Sequence, residues 1–156
     1  MSILIKSEIK NMIIKNIDEN KNFKAINVGE LNNIKDFVNG DLKGKIFLKD
    51  LLNITGCEIS ITSLPANTEL PFFHSHKENE EVYIILKGNG KFQIDDKVFP
   101  ISEGSVVRVN PEGKRSMINL SNDDMIYVVV QAKQNSLKQW TLDDGRIENI
   151  EDKLKK

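Results

Sequence analysis

The chain has 156 residues, of which 39% are hydrophobic and 29% charged, so its composition is that of a globular domain rather than of a disordered or fibrous protein. Its 22 basic and 23 acidic residues leave a formal net charge of −1, which provides no basic field for nucleic acid or an anionic membrane. The single cysteine, Cys57, excludes an internal disulfide framework. No apolar run approaches the roughly 18 residues of a membrane span, and the N-terminus lacks the apolar stretch of a signal peptide, so we expect a cytoplasmic protein.

The first 44 residues carry only weak signals of secondary structure. Ser7 to Ile17 places four isoleucines on one helical face, but its β-branched residues also suit an edge strand, and both alternatives stay open. Glu30 to Val38 is the better helix candidate and ends near Gly40.

From about Lys45 onward the sequence predicts short strands separated by turns. The candidate strands are residues 45–52, 57–64, 71–76, 81–86, 91–94, 98–101, 105–110 and 125–131. Turn residues such as Gly88-Asn89-Gly90 and Pro111-Glu112-Gly113 recur every 8 to 12 residues or so, which is typical of an all-β sandwich or small barrel. Near the C-terminus, Asp144-Gly145 between short apolar groups predicts a terminal hairpin, and the charged end is expected to fray.

The two histidines of the chain, His74 and His76, are separated by one residue. On a strand this spacing places both imidazoles on the same face, where two neutral rings suit a divalent transition metal. A carboxylate from Glu80 or Glu81, at the beginning of the next strand, would complete a set of two nitrogens and one oxygen, which suits Fe(II) and also accommodates Mn(II), Zn(II) or Ni(II). A one-residue slip exchanges the faces of the two glutamates, so the residues alone leave that choice open. A metal-free pair lining a polar pocket is the alternative.

This constellation resembles the first motif of the cupin superfamily. His74-Ser75-His76, four residues, Glu81, six residues and Gly88 follow the spacing of that motif, and Leu64-Pro65-Ala66-Asn67 and residues 82–90 match its surroundings. The segment from Gly104 through Pro111-Glu112-Gly113 to Asn119 is similar to the second motif. The resemblance covers about residues 59–131 and implies a double-stranded β-helix, a jelly-roll barrel with a metal site inside one mouth.

The resemblance also implies a division of the chain and a set of ligands. Because cupins often dimerise through sheet edges and N-terminal strand exchange, residues 1–44 are expected to form a dimer-forming extension, residues 45–150 the barrel and residues 151–156 a charged tail. The implied metal ligands are His74, His76 and Glu81, with Glu80 satisfying the shorter of two permitted gaps.

The fourth ligand of the family, a histidine in the second motif, is replaced in this chain. Its position falls on Arg115 or Ser116, depending on which end of the motif is counted. A hydroxyl is a weak ligand, and a guanidinium does not lose its proton in a protein. Arg115 is therefore either a surface side chain or a pocket cation suited to a carboxylate or phosphate, and Arg108 has the same two interpretations.

The leading hypothesis is a homodimeric cupin whose interior pocket binds one divalent metal (Fe, Mn, Ni or Zn) and a small anionic or oxygenated ligand. Arg115, Arg108 and Tyr83 are the candidate ligand contacts, although Tyr83 also fits an apolar barrel lining. If the protein is an enzyme, such a centre suits an isomerase, a decarboxylase or a dioxygenase, since the fold alone does not determine the chemistry. The alternative is a metal-free, non-catalytic binding or sensing module that uses the same pocket.

Overall fold

The structure is a computed structural model that describes residues 14–154. Its strands are β1 (Lys15–Glu19), β2 (Lys24–Asn27), β3 (Val38–Asn39), β4 (Leu42–Lys43), β5 (Lys45–Phe47), β6 (Glu58–Leu64), β7 (Asn79–Lys87), β8 (Asn89–Ile94), β9 (Lys97–Ser102), β10 (Val106–Val109), β11 (Arg115–Asn119) and β12 (Met125–Lys133). The helices are short: a 3-10 helix at Leu31–Asp36, α1 (Lys49–Leu52) and α2 (Thr141–Asp144). The prediction of an all-β protein is confirmed. Within the described range, no helix has the length and apolarity needed to cross a membrane.

Two antiparallel sheets form the body of the fold. One has five strands in the order β10-β7-β12-β6-β5, and the other has three in the order β11-β8-β9. The chain between β6 and β7 runs beside β11, joined to it by single bridges from Glu69 to Ile118 and from His74 to Arg115. The strand predicted at residues 71–76 is therefore wrong as a regular strand, because Pro71 cannot donate to a ladder and only one bridge forms there.

The interior between the sheets is apolar for most of its depth. Along β7, Glu81, Tyr83 and Ile85 are buried, whereas the alternate residues Val82 and Ile84 are less so. Tyr83 packs edge-on against Phe92 of the opposite sheet, with ring centroids 5.0 Å apart. Because side chains alternate along a strand, Glu81 faces the same interior as this core.

The N-terminal segment covers the outer face of the five-stranded sheet. Ile34 and Phe37 pack there against Ile46 in a second apolar cluster. The structure selects the strand alternative for Lys15–Ile17 within β1, and Ser7 to Ile13 lie outside the described residues.

Two sequence-based boundaries are corrected by the structure. The helix predicted over residues 30–38 is a six-residue 3-10 helix, followed by the two-residue strand β3. Residues 45–52 form a three-residue strand and then α1. The helix ends at Asn53, which has a left-handed backbone conformation.

The terminal hairpin predicted around Asp144-Gly145 is also wrong. Residues 141–144 form α2, closed by a hydrogen bond from the Gly145 N–H to the Thr141 carbonyl oxygen at 3.0 Å. Leu142 and Ile147 are exposed, so a hairpin here would have no apolar surface to pack on, and an isolated two-stranded hairpin is marginally stable.

Candidate metal centre

Backbone hydrogen bonds hold the histidine segment beside the second sheet. The His74 N–H donates to the Arg115 carbonyl oxygen at 3.2 Å, and the Arg115 N–H donates back to the His74 carbonyl oxygen at 3.0 Å. The His76 N–H donates to the Pro111 carbonyl oxygen at 2.8 Å. The two half-buried imidazoles lie beside the beginning of strand β7, where Glu81 is the third residue.

The structure brings His74, His76 and Glu81 together. One potential ligand atom from each lies within 4.8 Å of the other two. His76 Nε2 is 3.1 Å from Glu81 Oε1, and His74 Nε2 is 3.7 Å from Glu81 Oε2. The imidazole planes are perpendicular, with centroids 5.3 Å apart, so the two rings approach the carboxylate from different directions.

Glu80, the alternative ligand, lies on the opposite face of β7. Its Oε2 accepts a hydrogen bond from Arg108 Nε at 2.7 Å. The side chain of Arg108 is 56% exposed, and β10 directs it away from the barrel interior. The structure therefore does not bring Glu80 or Arg108 to the histidines.

Three neighbouring side chains hold the Glu81 carboxylate, and a fourth fixes one of them. Tyr83 Oη donates to Oε2 at 2.6 Å, and Arg115 Nε donates to the same oxygen at 3.1 Å. Gln131 Nε2 donates a weaker hydrogen bond to Oε1 at 3.3 Å, and Asn79 Nδ2 fixes Gln131 by donating to its Oε1 at 2.8 Å. Since Oε2 has two strong donors, Oε1 is the oxygen with free capacity for a further ligand.

These contacts set the protonation states of the site. Burial alone raises the pKa of Glu81, but the hydrogen bond from Tyr83 and the positive charge of Arg115 outweigh it, and the net shift is downward. Burial lowers the pKa of His74, which keeps that imidazole neutral near pH 7. Burial and the Glu81 charge raise the pKa of Tyr83, so it remains a protonated donor. An ionised carboxylate and a neutral imidazole are the forms that bind metal.

Arg115 lies in the interior of the barrel rather than on the surface. Its side chain is 1% exposed. Besides the bond to Glu81, its Nη1 donates to the carbonyl oxygens of Gly113 at 2.8 Å and His74 at 3.3 Å. Nη2 is buried and has no hydrogen-bond partner among residues 14–154. Ser116, the other candidate for the fourth position, follows on β11 and by strand alternation faces the opposite side.

Two surface cavities lie away from the three candidate ligands. One of about 260 Å³ is lined by Phe72, Phe73, Val98 and residues of β8 and β11. The other, of about 350 Å³, is lined by Arg108, Asn110, Glu112 and their neighbours. Neither of these two cavities is lined by a histidine or by Glu81.

The sequence analysis missed Lys45, which lies on an edge strand of the sheet that carries Glu81. Lys45 pairs with Thr62, and Thr62 pairs with Tyr127 of the interior core. Burial lowers the pKa of Lys45, while the charges of Glu81 and Glu58 act in the opposite direction. The alternation of Lys45, Ile46 and Phe47 was the available signal, but it does not say which face is interior.

Comparison with known proteins identifies the family. The sequence profile of the cupin domain matches residues 60–131. A cupin protein from Bacteroides fragilis of known structure is 38% identical, over 72% of this chain and 94% of that one, with a TM-score of 0.65. The chain belongs to the cupin superfamily. The predicted double-stranded β-helix is therefore confirmed for this cupin.

Two further proteins resemble this cupin over smaller shares of sequence or at lower identity. A Cupin 2 conserved barrel domain protein from Salinispora arenicola shares the fold at 16% identity, with a TM-score of 0.53 over 62% of this chain and 79% of that one. An uncharacterized protein from Methanocaldococcus jannaschii is 31% identical over 49 residues. That match spans 31% of this cupin and 39% of the length of the relative.

The donor set of this cupin fits a divalent metal. The buried His76 Nε2 lies 3.1 Å from Glu81 Oε1, and within the described part of the chain it has no hydrogen-bond partner. Two neighbouring ligand atoms that each lie about 2.1 Å from an octahedral ion are about 3 Å apart. The separation of His76 Nε2 and Glu81 Oε1 is 3.1 Å. The Arg115 guanidinium is bound to Oε2, which leaves Oε1 and the imidazole nitrogens for an ion.

Proposed function

We propose that this cupin binds one divalent metal ion through His74, His76 and Glu81, together with a small anionic or oxygenated ligand. The observation that carries the proposal is the convergence of three ligand atoms within 4.8 Å of one another, from two half-buried histidines and a buried glutamate. Two nitrogens and one carboxylate oxygen are the ligand set of non-haem Fe(II) centres, and Mn, Ni and Zn are also compatible with it.

The protein residues around the three ligands define what the site can do. Tyr83 and Arg115 fix the orientation of the carboxylate, and the apolar core beneath it excludes water from one side. A bound ion supplies Lewis acidity for isomerisation or decarboxylation of an oxygenated ligand, or a site for dioxygen if it is iron. These three reaction classes share the same binding step, so metal binding is the first property to establish.

A metal-free binding module is the second candidate function. The observation that favours it is Arg115, whose positive charge lies 3.1 Å from the Glu81 carboxylate and opposes the approach of a cation. In this alternative, the histidines bind a small polar ligand by hydrogen bonds.

Elemental analysis of untagged protein distinguishes the two functions. We expect about one metal per chain after exposure to Fe, Mn, Ni and Zn, and loss of the metal in His74→Ala/His76→Ala and in Glu81→Gln. Glu80→Gln is the matched control, because that carboxylate lies on the outer face of the same strand. A folded wild type that retains no metal after reconstitution would instead support the metal-free module.

We also propose a cytoplasmic homodimer in which residues 1–44 contribute to the interface, residues 45–150 form the barrel and residues 151–156 the tail. Within the described range, Phe23, Leu31, Val38 and Leu42 expose apolar side chains on the N-terminal segment, as an interface requires. Light scattering coupled to gel filtration should give the mass of a dimer, and Val38→Glu/Leu42→Glu should shift it to that of a monomer. A monomeric wild type contradicts this part of the proposal.

A further inference from the structure

The C-terminal part of the chain leaves the barrel beside the segment that carries the two histidines. After β12, the Gln134 N–H donates to the Glu78 carbonyl oxygen at 3.0 Å, and Gln134 Nε2 donates to Asn110 Oδ1 at 3.4 Å. Glu78 follows His76 by two residues. Residues 137–154, which we term the C-terminal strap, therefore begin at the end of the barrel where the candidate ligands lie.

The C-terminal strap carries apolar side chains that the barrel does not cover. Six of its residues are between 62% and 104% exposed: Leu137, Trp140, Leu142, Ile147, Ile150 and Leu154. The last three are spaced so that they would share one face of a helix. Segments that remain solvated are typically poor in such residues, whereas clustered exposed apolar groups mark interaction surfaces. The strap therefore has the composition of a segment that packs against another surface.

Phe72 and Phe73 form an exposed apolar surface next to His74. They are 60% and 54% exposed, and both line the cavity of about 260 Å³ together with Val98, which is 58% exposed. The Phe72 ring lies edge-on to the His74 ring, with centroids 5.9 Å apart. An apolar group that binds to this surface therefore lies beside the candidate metal centre.

Trp140 can reach this surface without any change in the barrel. It follows Gln134 by six residues, a span of at most about 20 Å, and Phe73 precedes Glu78 by five residues, at most about 17 Å. The path between the two aromatic groups runs alongside residues 73–78, which include both histidines. A segment tethered this closely has a roughly millimolar effective concentration for its own barrel, which favours docking within one chain over docking on a second copy.

We infer that the C-terminal strap folds back over this end of the barrel, with Trp140 packed against Phe72 and Phe73. Aromatic pairs stabilise such a contact beyond the apolar area that they bury. The docked strap would cover His74 and His76, whose side chains are 32% and 25% exposed in the structure, and exclude water while a ligand is bound. This role at the site rests on the proposed function, whereas the docking of Trp140 does not depend on it.

Fluorescence tests the docking, because Trp140 is the only tryptophan of the chain. With a chelator present, we expect the full chain to emit at a shorter wavelength than N-acetyltryptophanamide and to be quenched less by acrylamide. Phe72→Ser/Phe73→Ser should return both properties to those of the free compound. Val106→Ser is the matched control and should change neither, because Val106 is 64% exposed on β10 of the other sheet.

Three fluorescence results would overturn the inference. The first is a wild type whose emission and quenching equal those of the free compound, and the second is a blue shift that survives the double substitution. The third is a blue shift that disappears on dilution, which would assign the contact to a second copy of the chain.

Chemical modification tests whether the docked strap covers the site. His74 and His76 are the only histidines, so the absorbance of carbethoxyhistidine formed with diethyl pyrocarbonate reports on them alone. Trp140→Ser should raise the rate at least about twofold, since a strap docked half of the time halves the accessible population. Val106→Ser should leave the rate unchanged.

An equal modification rate in Trp140→Ser and wild type overturns the covering of the histidines. The metal proposal fails separately, because both measurements are made in metal-free protein. A wild type that shows the fluorescence and modification effects but retains no metal after reconstitution refutes the metal proposal and leaves the strap standing.

Discussion

Arg115 Nε donates to Glu81 Oε2 at 3.1 Å, and the two side chains are only 1% and 6% exposed. Arg115, one of the two positions at which the cupin resemblance implies a fourth metal ligand, is thus a residue that orients Glu81. The guanidinium also ties the β11 strand to the turn before it through the Gly113 carbonyl oxygen. The site therefore combines an ion pair with a potential metal-ligand set, and the two share one carboxylate.

Arg115→Met should destabilise the protein strongly, because it leaves the Glu81 carboxylate buried without its cation. Removing one partner of a buried pair typically costs about 3–5 kcal/mol. The matched control is Arg108→Met, which breaks the exposed pair with Glu80 and should cost at most about 1 kcal/mol. Urea unfolding at pH 7 measures both, and equal losses in the two variants would show that Arg115 contributes no more than a surface ion pair.

Tyr83→Phe should remove the hydrogen bond to the Glu81 carboxylate and leave the packing of the ring unchanged. The hydroxyl donates to Oε2 at 2.6 Å, and a hydrogen bond to a charged group contributes about 1.5–3 kcal/mol. We expect a loss of that size in urea unfolding at pH 7. The control is Tyr127→Phe, which removes a buried hydroxyl that makes no hydrogen bond to Glu81. If Tyr83→Phe loses no stability, the bond to the carboxylate does not stabilise the fold.

The metal-free protein should lose stability as the pH falls below 6.5. The ordinary pKa of a histidine is 6.5, and burial lowers that of His74 in the folded protein. The unfolded chain therefore binds the proton more readily, so the free energy of unfolding decreases from pH 6.5 down to the lower pKa of the folded state. His74→Gln should flatten the profile in this window, measured by urea unfolding in the presence of a chelator. A profile unchanged by the substitution would assign the effect to another group.

The all-β fold was predictable from the sequence because strand alternation and turn residues such as Gly88-Asn89-Gly90 are local signals. The burial of Arg115 was not, since it depends on strand register, and a slip of one residue would have placed Ser116 inward instead. Lys45 was missed for the same reason, because only its pairing with Thr62 identifies its face as interior. The hairpin predicted near Gly145 failed because a turn signal does not supply a surface for the strands to pack on.

Gly90→Ala should disrupt the contact between β8 and β11, on which the position of Arg115 depends. A Cβ at Gly90 would overlap the carbonyl oxygen of Ile118, a backbone atom held in the ladder that pairs Gly90 with Asn119. Because backbone cannot move away as a flexible side chain can, we expect a loss of about 2 kcal/mol or more in urea unfolding.

The matched control for this prediction is Gly56→Ala, because a Cβ at Gly56 meets no atom within 4 Å. That substitution should leave the free energy of unfolding within about 0.5 kcal/mol of the wild type or raise it slightly, since it restricts the unfolded chain. Metal retention in Gly90→Ala, measured on the fraction that folds, should fall as well, because β11 carries Arg115 and its bridge to His74. Equal stability of the two alanine variants would mean that β8 and β11 accommodate a Cβ at Gly90 without a loss of stability. The close approach at Gly90 would then not be needed to position Arg115.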